Sequence, residues 1–233
     1  SSSANRAWSA PAPAMRSETV PDQPPELAGW LEAIAARAGQ MSGWEMLAVV
    51  LAVAYLLLAV RQIRLCWVAA FVSTALYTLL FWQVQLLMQS ALNVYYMAMA
   101  VYGWQQWRHG GQAGEKLAIT RWPWRSHAAV LAAIAGFSLV SGLLLDRHTQ
   151  AAWPYLDSVI TWGAVVATYM VARKVLENWA YWMLINSLAV FMFFDRAMLL
   201  TAGLHATYLV ISVFGWIAWQ RDYSRQQHGD SID

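Results

Sequence analysis

The sequence predicts an all-α integral membrane protein with seven transmembrane helices and a duplicated three-helix unit. Hydrophobic residues make up 59% of the 233-residue chain, and charged residues make up only 12%. The apolar residues form blocks of about 17 to 22, close to the ~20 residues with which a helix crosses a bilayer core. The charged residues lie between these blocks, and one motif recurs at constant spacing in both halves. Together these three observations indicate the fold class.

The two ends of the chain differ in character from its middle. Residues 1–25 are rich in Ser, Pro and Ala without an apolar period, which is typical of a disordered tail. Residues 26–43 place apolar side chains at helical spacing, which predicts an amphipathic helix lying on the membrane. An additional short span over the same residues stays open. Residues 221–233 follow the last apolar block and are expected to form a cytoplasmic tail.

Seven apolar blocks predict the seven spanning helices. Their approximate bounds are residues 44–60, 67–87, 90–107, 127–145, 155–172, 179–200 and 203–220. The first three helices form one bundle over residues 44–107, and the last three form a second bundle over residues 155–220. Residues 108–154 are a linker that contains the fourth helix.

Lysine and arginine are unequally distributed between the two sides of these spans. One side carries Arg61, Arg64, Arg108, Lys116, Arg121, Arg125, Arg173, Lys174, Arg221 and Arg225. The other side carries Arg6, Arg16, Arg37, Arg147 and Arg196. Because cytoplasmic loops carry the excess of positive charge, the first side is predicted to be cytoplasmic. The N-terminus is then outside the cell and the C-terminus inside it.

The two halves share a motif at an offset of 112 residues. The segments LNVYYMAMAVYGWQQW (92–107) and LHATYLVISVFGWIAW (204–219) place a tyrosine, a Gly-Trp pair and a final tryptophan at matching positions. The same offset also aligns Ala52/Ala164, Val53/Val165, Arg61/Arg173, Trp67/Trp179, Leu76/Leu188, Phe81/Phe193 and Leu87/Leu199. A three-helix unit crosses the membrane an odd number of times, so the fourth helix returns the second copy to the same orientation. The repeat predicts a 3+1+3 arrangement of parallel units with a substrate site between them near the midplane, as in secondary transporters.

Composition excludes several classes of function. The balance of 15 Lys and Arg against 13 Asp and Glu leaves no basic field for nucleic acid. The single cysteine, Cys66, excludes an internal disulfide and is interpreted as a small apolar residue. The sequence has no catalytic-triad, metal-ligand or phosphate-loop pattern, so we expect no cofactor, no enzyme activity and no ATP-driven mechanism. Most of the 15 tryptophans lie near block ends, which predicts an aromatic belt at the membrane interfaces.

The sixth apolar block carries two indoles and an amide on one face. In ENWAYWMLINS (177–187), Trp179, Trp182 and Asn186 stand at i, i+3 and i+7, within an arc of about 60°. Asn186 either hydrogen-bonds a neighbouring helix or lines a wet cavity. The indoles on its face favour a planar heteroaromatic ligand that is both stacked and hydrogen-bonded.

The second and third blocks supply further candidates. Gln85 and Asn93 share a face if the two helices meet there, and Asn93 aligns with His205 in the second copy. Asn93 and His205 each precede a matched tyrosine, Tyr96 or Tyr208, by three residues. These tyrosines either line a central site or pack between helices.

Two acidic residues also correspond under the offset. Glu45 and Asp157 both lie near the outer ends of their helices. Each either complements the helix dipole in the first turn or forms an entrance that favours a cationic substrate. Asp157 is therefore included among the candidate substrate-binding residues.

The W-x-x-W-x-x-x-N motif of residues 179–186 and the Gly-Trp-x-x-Trp endings at residues 103–107 and 215–219 resemble the PnuC transporters of bacteria. The resemblance covers about residues 44–220. It implies a SWEET-like 3+1+3 fold in the bacterial inner membrane and transport of nicotinamide riboside, a form of vitamin B3. It further implies facilitated diffusion that cytoplasmic phosphorylation, on the way to NAD, makes effectively one-way.

The resemblance gives each candidate residue a role. Nicotinamide riboside combines a pyridinium cation, a carboxamide and a ribose, so Trp179 and Trp182 would stack on the cation and Asn186 would bind the carboxamide. The remaining amide and ribose contacts are assigned to Asn93, Gln85, Tyr96 and Tyr208. The lack of basic residues in the apolar blocks argues against the phosphorylated mononucleotide. Transport of another cationic vitamin precursor, such as thiamine, and a non-transporting membrane sensor stay open as alternatives. Membrane lipid is an expected partner, and the sequence leaves open a homo-oligomer.

Overall fold

The computed structural model describes residues 42–83, 87–110, 117–149 and 152–229, together with Gly29 and Gly39. Within these ranges the chain forms seven helices: α1 (Gly43–Val60), α2 (Cys66–Gln83), α3 (Leu87–His109), α4 (Trp124–His148), α5 (Pro154–Ala172), α6 (Asn178–Asp195) and α7 (Leu199–Gly229). The predicted all-α fold with seven helices is confirmed. The predicted N-terminal tail, residues 1–25, and almost all of the predicted interfacial helix, residues 26–43, lie outside the described residues.

Helix α1 begins with a reciprocal capping arrangement. The Ser42 hydroxyl accepts a hydrogen bond from the Glu45 backbone N–H at 3.3 Å, and the Ser42 N–H donates to the Glu45 carboxylate at 2.7 Å. This arrangement satisfies two backbone donors at the helix start and defines where α1 begins. Of the two interpretations of Glu45, the structure supports the one in the first helical turn.

Among the described residues, four helices are long and apolar enough to cross a membrane. These are α1, α4, α5 and α7. Helix α2 is apolar over the shorter stretch Cys66–Leu80. Helices α3 and α6 carry buried amides, Asn93 on α3 and Asn178 and Asn186 on α6, which lower their hydropathy. Crossing by all seven helices stays a prediction.

The connections α1–α2, α3–α4 and α5–α6 meet one another and the C-terminal part of α7 at one end of the bundle. The Lys174 ammonium donates to the Gln62 side chain at 2.9 Å, and Gln62 in turn donates to Asp222 at 2.8 Å. Arg121 and Glu177 form an ion pair at 2.9 Å at the same end. Because every second connection lies at this end, successive helices run in opposite directions.

Helices α1 and α5 end in the same way. Gln62 and Lys174 follow these helices, stand 112 residues apart, and both adopt the left-handed conformation, with φ of 54° and 51°. A left-handed residue after the last turn is a common helix stop. The equivalent residues of the two halves therefore share a backbone conformation and contact each other directly.

The pairing of helices repeats between the halves. Helix α2 packs against α1 and α3, and α6 packs against α5 and α7. Between the halves, α3 packs against α5 and α1 packs against α7. Exchanging α1 with α5, α2 with α6 and α3 with α7 maps each of these pairs onto another. Helix α4 packs on α5.

Tryptophans from both halves join the halves at the end where these connections meet. The Trp107 indole N–H donates to the Val171 carbonyl at 3.3 Å, and the Trp219 N–H donates to the Ala59 carbonyl at 3.1 Å. Donors and acceptors are both related by the 112-residue offset. The aromatic-belt interpretation is therefore wrong for these two residues and for Trp67, since all three are buried in the core. It stays a prediction for the strongly exposed indoles Trp44, Trp82 and Trp124.

The recurring Gly-Trp pair has a packing reason. A Cβ added at Gly103 would lie 2.4 Å from the ring of Trp67, and one added at Gly215 would lie 2.6 Å from the ring of Trp179. A missing side chain therefore makes room for an indole from the preceding helix in each half. This close approach fixes how α2 packs on α3 and how α6 packs on α7.

Candidate binding cavity between the two halves

A cavity of about 370 Å³ lies between the two halves. This volume is within the range of about 300–1,000 Å³ that is typical of small-molecule sites. Its polar and aromatic lining side chains are Tyr55, Trp67, Ser73, Thr74, Asn93, Tyr96, Asp157, Thr161, Thr168, Trp182, Asn186, Phe193, His205 and Tyr208. Every helix except α4 supplies described lining residues.

The cavity brings together most of the side chains that the sequence singled out. Those that line it are Asn93, Tyr96, Asp157, Trp182, Asn186 and Tyr208. Gln85 lies outside the described residues. Their proximity makes a common site geometrically feasible, and their roles in binding stay predictions.

Trp179 lies away from the cavity, contrary to its expected place beside Trp182. Its side chain is fully buried, its ring lies against Gly215, and Trp219 packs edge-on to it with centroids 5.5 Å apart. The indole occupies the gap that Gly215 leaves on α7, and no face remains for a ligand. Trp179 is therefore a packing residue between α6 and α7.

Asn186 both lines the cavity and bonds a neighbouring helix. Its side chain is only 2% exposed, and its Oδ1 lies 2.9 Å from Nδ1 of His205 on α7. The two interpretations that the sequence left open for Asn186 are compatible. Because a buried amide without partners is costly, this contact stabilises Asn186 at the cavity wall.

His205 is a cavity residue that was not among the predicted site residues. Its ring stacks on Phe193 with centroids 5.3 Å apart and an interplanar angle of 17°. Tyr208 packs edge-on to it at 5.7 Å. The signal that could have identified His205 was its alignment with Asn93, since both residues line the cavity.

Helix α5 contributes a polar face of which the sequence indicated only Asp157. Asp157, Thr161, Ala164 and Thr168 all line the cavity and follow one another at intervals of four, three and four residues. This spacing is that of one helix face. The Thr168 hydroxyl donates to the Ala164 carbonyl within the helix at 2.8 Å. Asp157 is therefore the charged member of this otherwise uncharged face.

Two indoles at the cavity wall carry hydrogen-bond donors without a protein partner. Within the described ranges, the buried N–H groups of Trp67 and Trp182 have no acceptor. Buried donors are nearly always satisfied in native proteins, by protein, water or ligand. Both residues line the cavity, but their indole nitrogens are themselves enclosed by protein, like that of Trp179 away from the cavity.

Equivalent positions of the two halves line the cavity, but they carry different side chains. Trp182 and Asn186 correspond under the offset to Ala70 and Thr74, and all four line the cavity. One half therefore supplies a large ring and an amide, while the other supplies small side chains that leave space. A flat molecule would rest on the α6 side.

The charge of the cavity wall is negative. Asp157 is the only charged side chain among the described lining residues, and no Lys or Arg is among them. A carboxylate in a poorly solvated site favours a cationic ligand and disfavours an anionic one. Phosphate recognition commonly relies on Arg or Lys.

Comparison with known proteins identifies the family. The family model described as "Nicotinamide mononucleotide transporter" matches residues 42–221. The chain belongs to this family. The family resemblance inferred from the motifs is confirmed, and the chain is a multi-pass membrane protein of a bacterial transporter family.

Two relatives are named for different substrates. The chain is 29% identical over 133 residues to the riboflavin/roseoflavin transporter RibM of Streptomyces davaonensis. That match covers 54% of this chain and 62% of RibM. The chain is also 24% identical over 147 residues to the nicotinamide riboside transporter PnuC of Escherichia coli K12. That match covers 52% of this chain and 62% of PnuC. The chain thus matches less than two thirds of the length of either relative.

A solved vitamin B3 transporter has a related fold. The crystal structure of the vitamin B3 transporter PnuC superposes on this chain with a TM-score of 0.63 at 23% identity. The superposition covers 86% of this chain and 91% of that chain. This likeness supports the all-α fold of the family member described here.

Proposed function

We propose that this chain transports nicotinamide riboside by facilitated diffusion across the bacterial inner membrane. One observation carries the proposal: a single cavity lies against an indole, a primary amide and a carboxylate, those of Trp182, Asn186 and Asp157. Nicotinamide riboside presents a flat pyridinium cation, a carboxamide and an uncharged sugar. Each part of the molecule has a matching group at the cavity wall.

Two residues are proposed to bind the pyridinium cation. Trp182 offers the face of an indole, and a cation–π contact contributes about 0.5 to 2 kcal/mol, more when the cation is desolvated. Asp157 balances the positive charge from α5, and the attraction between opposite charges strengthens as water leaves the cavity. A cationic ring would therefore be stabilised by Trp182 on the α6 side of the cavity and by Asp157 on the α5 side.

Amide and hydroxyl side chains are proposed to hydrogen-bond the uncharged parts of the ligand. Asn186 can hydrogen-bond the carboxamide, and Asn93, Tyr96 and Tyr208 are proposed to contact the ribose or the remaining amide atoms. The absence of Lys and Arg among the described lining residues favours the riboside over the mononucleotide. The substrate proposed here therefore differs from the one in the family description.

The transport cycle is proposed to use the repeat. Two parallel three-helix units, α1–α3 and α5–α7, would enclose the cavity, with α4 connecting them in a SWEET-like 3+1+3 arrangement. The exchange of equivalent helix pairs between the halves supports this plan. The basic residues at the end where Lys174 and Gln62 meet support a cytoplasmic location for that end.

Trapping follows from charge. Phosphorylation of the riboside in the cytoplasm adds about −1.5 to −2 charges. A phosphorylated product would be repelled by Asp157 and would find no basic partner among the described cavity residues. A passive carrier would then deliver substrate in one net direction.

Riboflavin is the second candidate because RibM is 29% identical to the chain. The riboflavin ring is neutral, whereas the nicotinamide riboside ring is a cation. Asp157 on the cavity wall favours the cation. Thiamine, also a cation, and a non-transporting sensor complete the set to be tested.

Calorimetry on purified protein would compare nicotinamide riboside, riboflavin and thiamine. We expect nicotinamide riboside to bind most tightly and labelled riboside to equilibrate into proteoliposomes with an empty lumen. Tighter binding of another compound would overturn the substrate. Binding without entry into the liposomes would indicate a sensor.

Variants of the cavity wall would then test the site. Trp182→Ala and Asn186→Ala should each weaken riboside binding about tenfold or more, since each removes about 1.4 kcal/mol or more of contact energy. Trp162→Ala and Asn178→Ala are matched controls, because both residues lie outside the cavity lining. If both cavity variants bind like the parent while remaining monodisperse, the site is elsewhere.

A further inference from the structure

We propose that His205 is a positioning residue that fixes the direction of the Asn186 amide, so that the cavity selects flat-ring ligands bearing an exocyclic carbonyl oxygen. The inference rests on the proposed role of the cavity as the substrate site.

The imidazole of His205 is held in one orientation. Phe193 stacks on one face at 5.3 Å, and Tyr208 packs edge-on at 5.7 Å. In this orientation Nδ1 lies 2.9 Å from Oδ1 of Asn186. The ring contacts therefore hold the plane of the imidazole, and the hydrogen bond to Asn186 distinguishes Nδ1 within that plane.

The chemistry of the pair assigns the hydrogen. An amide oxygen can only accept, so Nδ1 of His205 must carry the hydrogen of this 2.9 Å contact. Asn186 is then held with its oxygen toward α7. The group that it offers to the cavity is its NH₂, a donor with no acceptor role.

The Asn186 NH₂ is a donor on a face of α6 that lines the cavity, one turn beyond the indole of Trp182. A donor at this wall requires an acceptor on the ligand, and a carbonyl oxygen on the edge of a flat ring provides one.

The first half does not repeat this arrangement of an imidazole, an amide and an indole. The positions equivalent to His205, Asn186 and Trp182 hold Asn93, Thr74 and Ala70, and none of these is an imidazole or an indole. Recognition of the ring edge is therefore one-sided, on α6 and α7. The substituted ring of the ligand would face the second half, and its sugar would face the first.

The tautomer of His205 gives a test that needs no ligand. In protein labelled with ¹⁵N-histidine, the resonance that disappears in His205→Phe should have the chemical shifts of the Nδ1–H tautomer. An Nε2–H tautomer would mean that the amide nitrogen donates to Nδ1 and that the oxygen faces the cavity. That result would overturn the inference, whichever substrate the protein carries.

Binding measurements provide the second test. The parent should bind nicotinamide riboside about tenfold or more tightly than 1-ribosylpyridinium, the same cation without the carboxamide. His205→Phe keeps an aromatic ring but lacks the donor, and it should bring this ratio close to one by releasing the Asn186 amide. His205→Asn places an N–H donor at the δ position, as Asn93 does in the first half, and should recover most of the lost preference.

A double-mutant cycle separates positioning from general damage. If His205 acts through Asn186, His205→Phe should weaken riboside binding by less than about twofold further in the Asn186→Ala background. Fully additive losses would show that His205 acts independently and would overturn the inference. Failure of the parent to bind either riboside would contradict the proposed substrate instead, and the tautomer measurement would still decide the role of His205.

Discussion

Replacing Gly103 by alanine should distort the cavity through a single neighbour. The added Cβ would lie 2.4 Å from the indole of Trp67, whereas ordinary contact begins near 3.4 Å. The ring must therefore move by about 1 Å, although it is only 2% exposed and packs against Trp107 at 5.5 Å. Overpacking of this kind typically costs about 1–3 kcal/mol. For a chain of this size, that cost corresponds to a fall in Tm of roughly 2–12 °C.

Binding should also suffer, because Trp67 lines the cavity. A shift of about 1 Å in the ring changes the shape of the wall, and we expect riboside affinity to fall about tenfold, or about 1.4 kcal/mol. Gly215→Ala is the matched control from the other half. Its Cβ would lie 2.6 Å from Trp179, which lies outside the cavity lining. That variant should lose similar stability but change affinity by less than about threefold.

Thermal unfolding followed by tryptophan fluorescence and calorimetric titration of the folded protein would measure the two effects separately. The reasoning would be refuted if Gly103→Ala unfolded at the parent temperature. It would also be refuted if Gly215→Ala were the variant with the larger loss of affinity. The first result would mean that the helices separate without cost, and the second that the cavity wall has been wrongly assigned.

Three further predictions follow from individual contacts. Asp157→Asn should weaken binding of a cationic ring about tenfold while changing riboflavin binding little, and equal effects in calorimetry would leave Asp157 only its helix-dipole role. Trp219→Phe removes the indole N–H that donates to the Ala59 carbonyl, so it should lower the free energy of unfolding by about 1 kcal/mol, measurable with denaturant in detergent. Ser42→Ala removes the cap of α1 and should cost about 1 kcal/mol by the same assay, whereas unchanged stability would show that the N-terminus of α1 is held by other contacts.

The sequence predicted the helices because their signals are local. Apolar blocks and the charges between them locate each helix to within a few residues of the structure, as for the first block and α1, Gly43–Val60. The largest difference is at α7, which continues to Gly229 beyond the apolar block that ends near residue 220. Its extension is polar and contacts neighbouring connections, for example through Asp222 and Gln62. Hydropathy cannot detect such a contact.

The site was predicted in part because helical periodicity tells which residues share a face, but not which neighbour that face meets. Trp182 and Asn186 line the cavity as expected, whereas Trp179, on nearly the same stripe, packs against Gly215. Trp179 and Asn186 stand only about 20° apart around the helix axis, so periodicity alone cannot distinguish a cavity wall from a helix–helix contact. His205 was missed because its partner, Asn186, lies on another helix.

The sequence by itself determined the membrane class and the order of the seven described helices, and it predicted the duplication, because these depend on composition, periodicity and internal repetition along the chain. Only the tertiary structure decided which tryptophans are core and which are wall, and which carboxylate, amide and imidazole meet in one cavity. The physical reason is that burial and hydrogen bonding depend on distances between helices far apart in sequence, such as the 2.9 Å contact of Lys174 with its repeat mate Gln62. Residue type sets what each group can donate or accept, and packing alone sets the partner it finds.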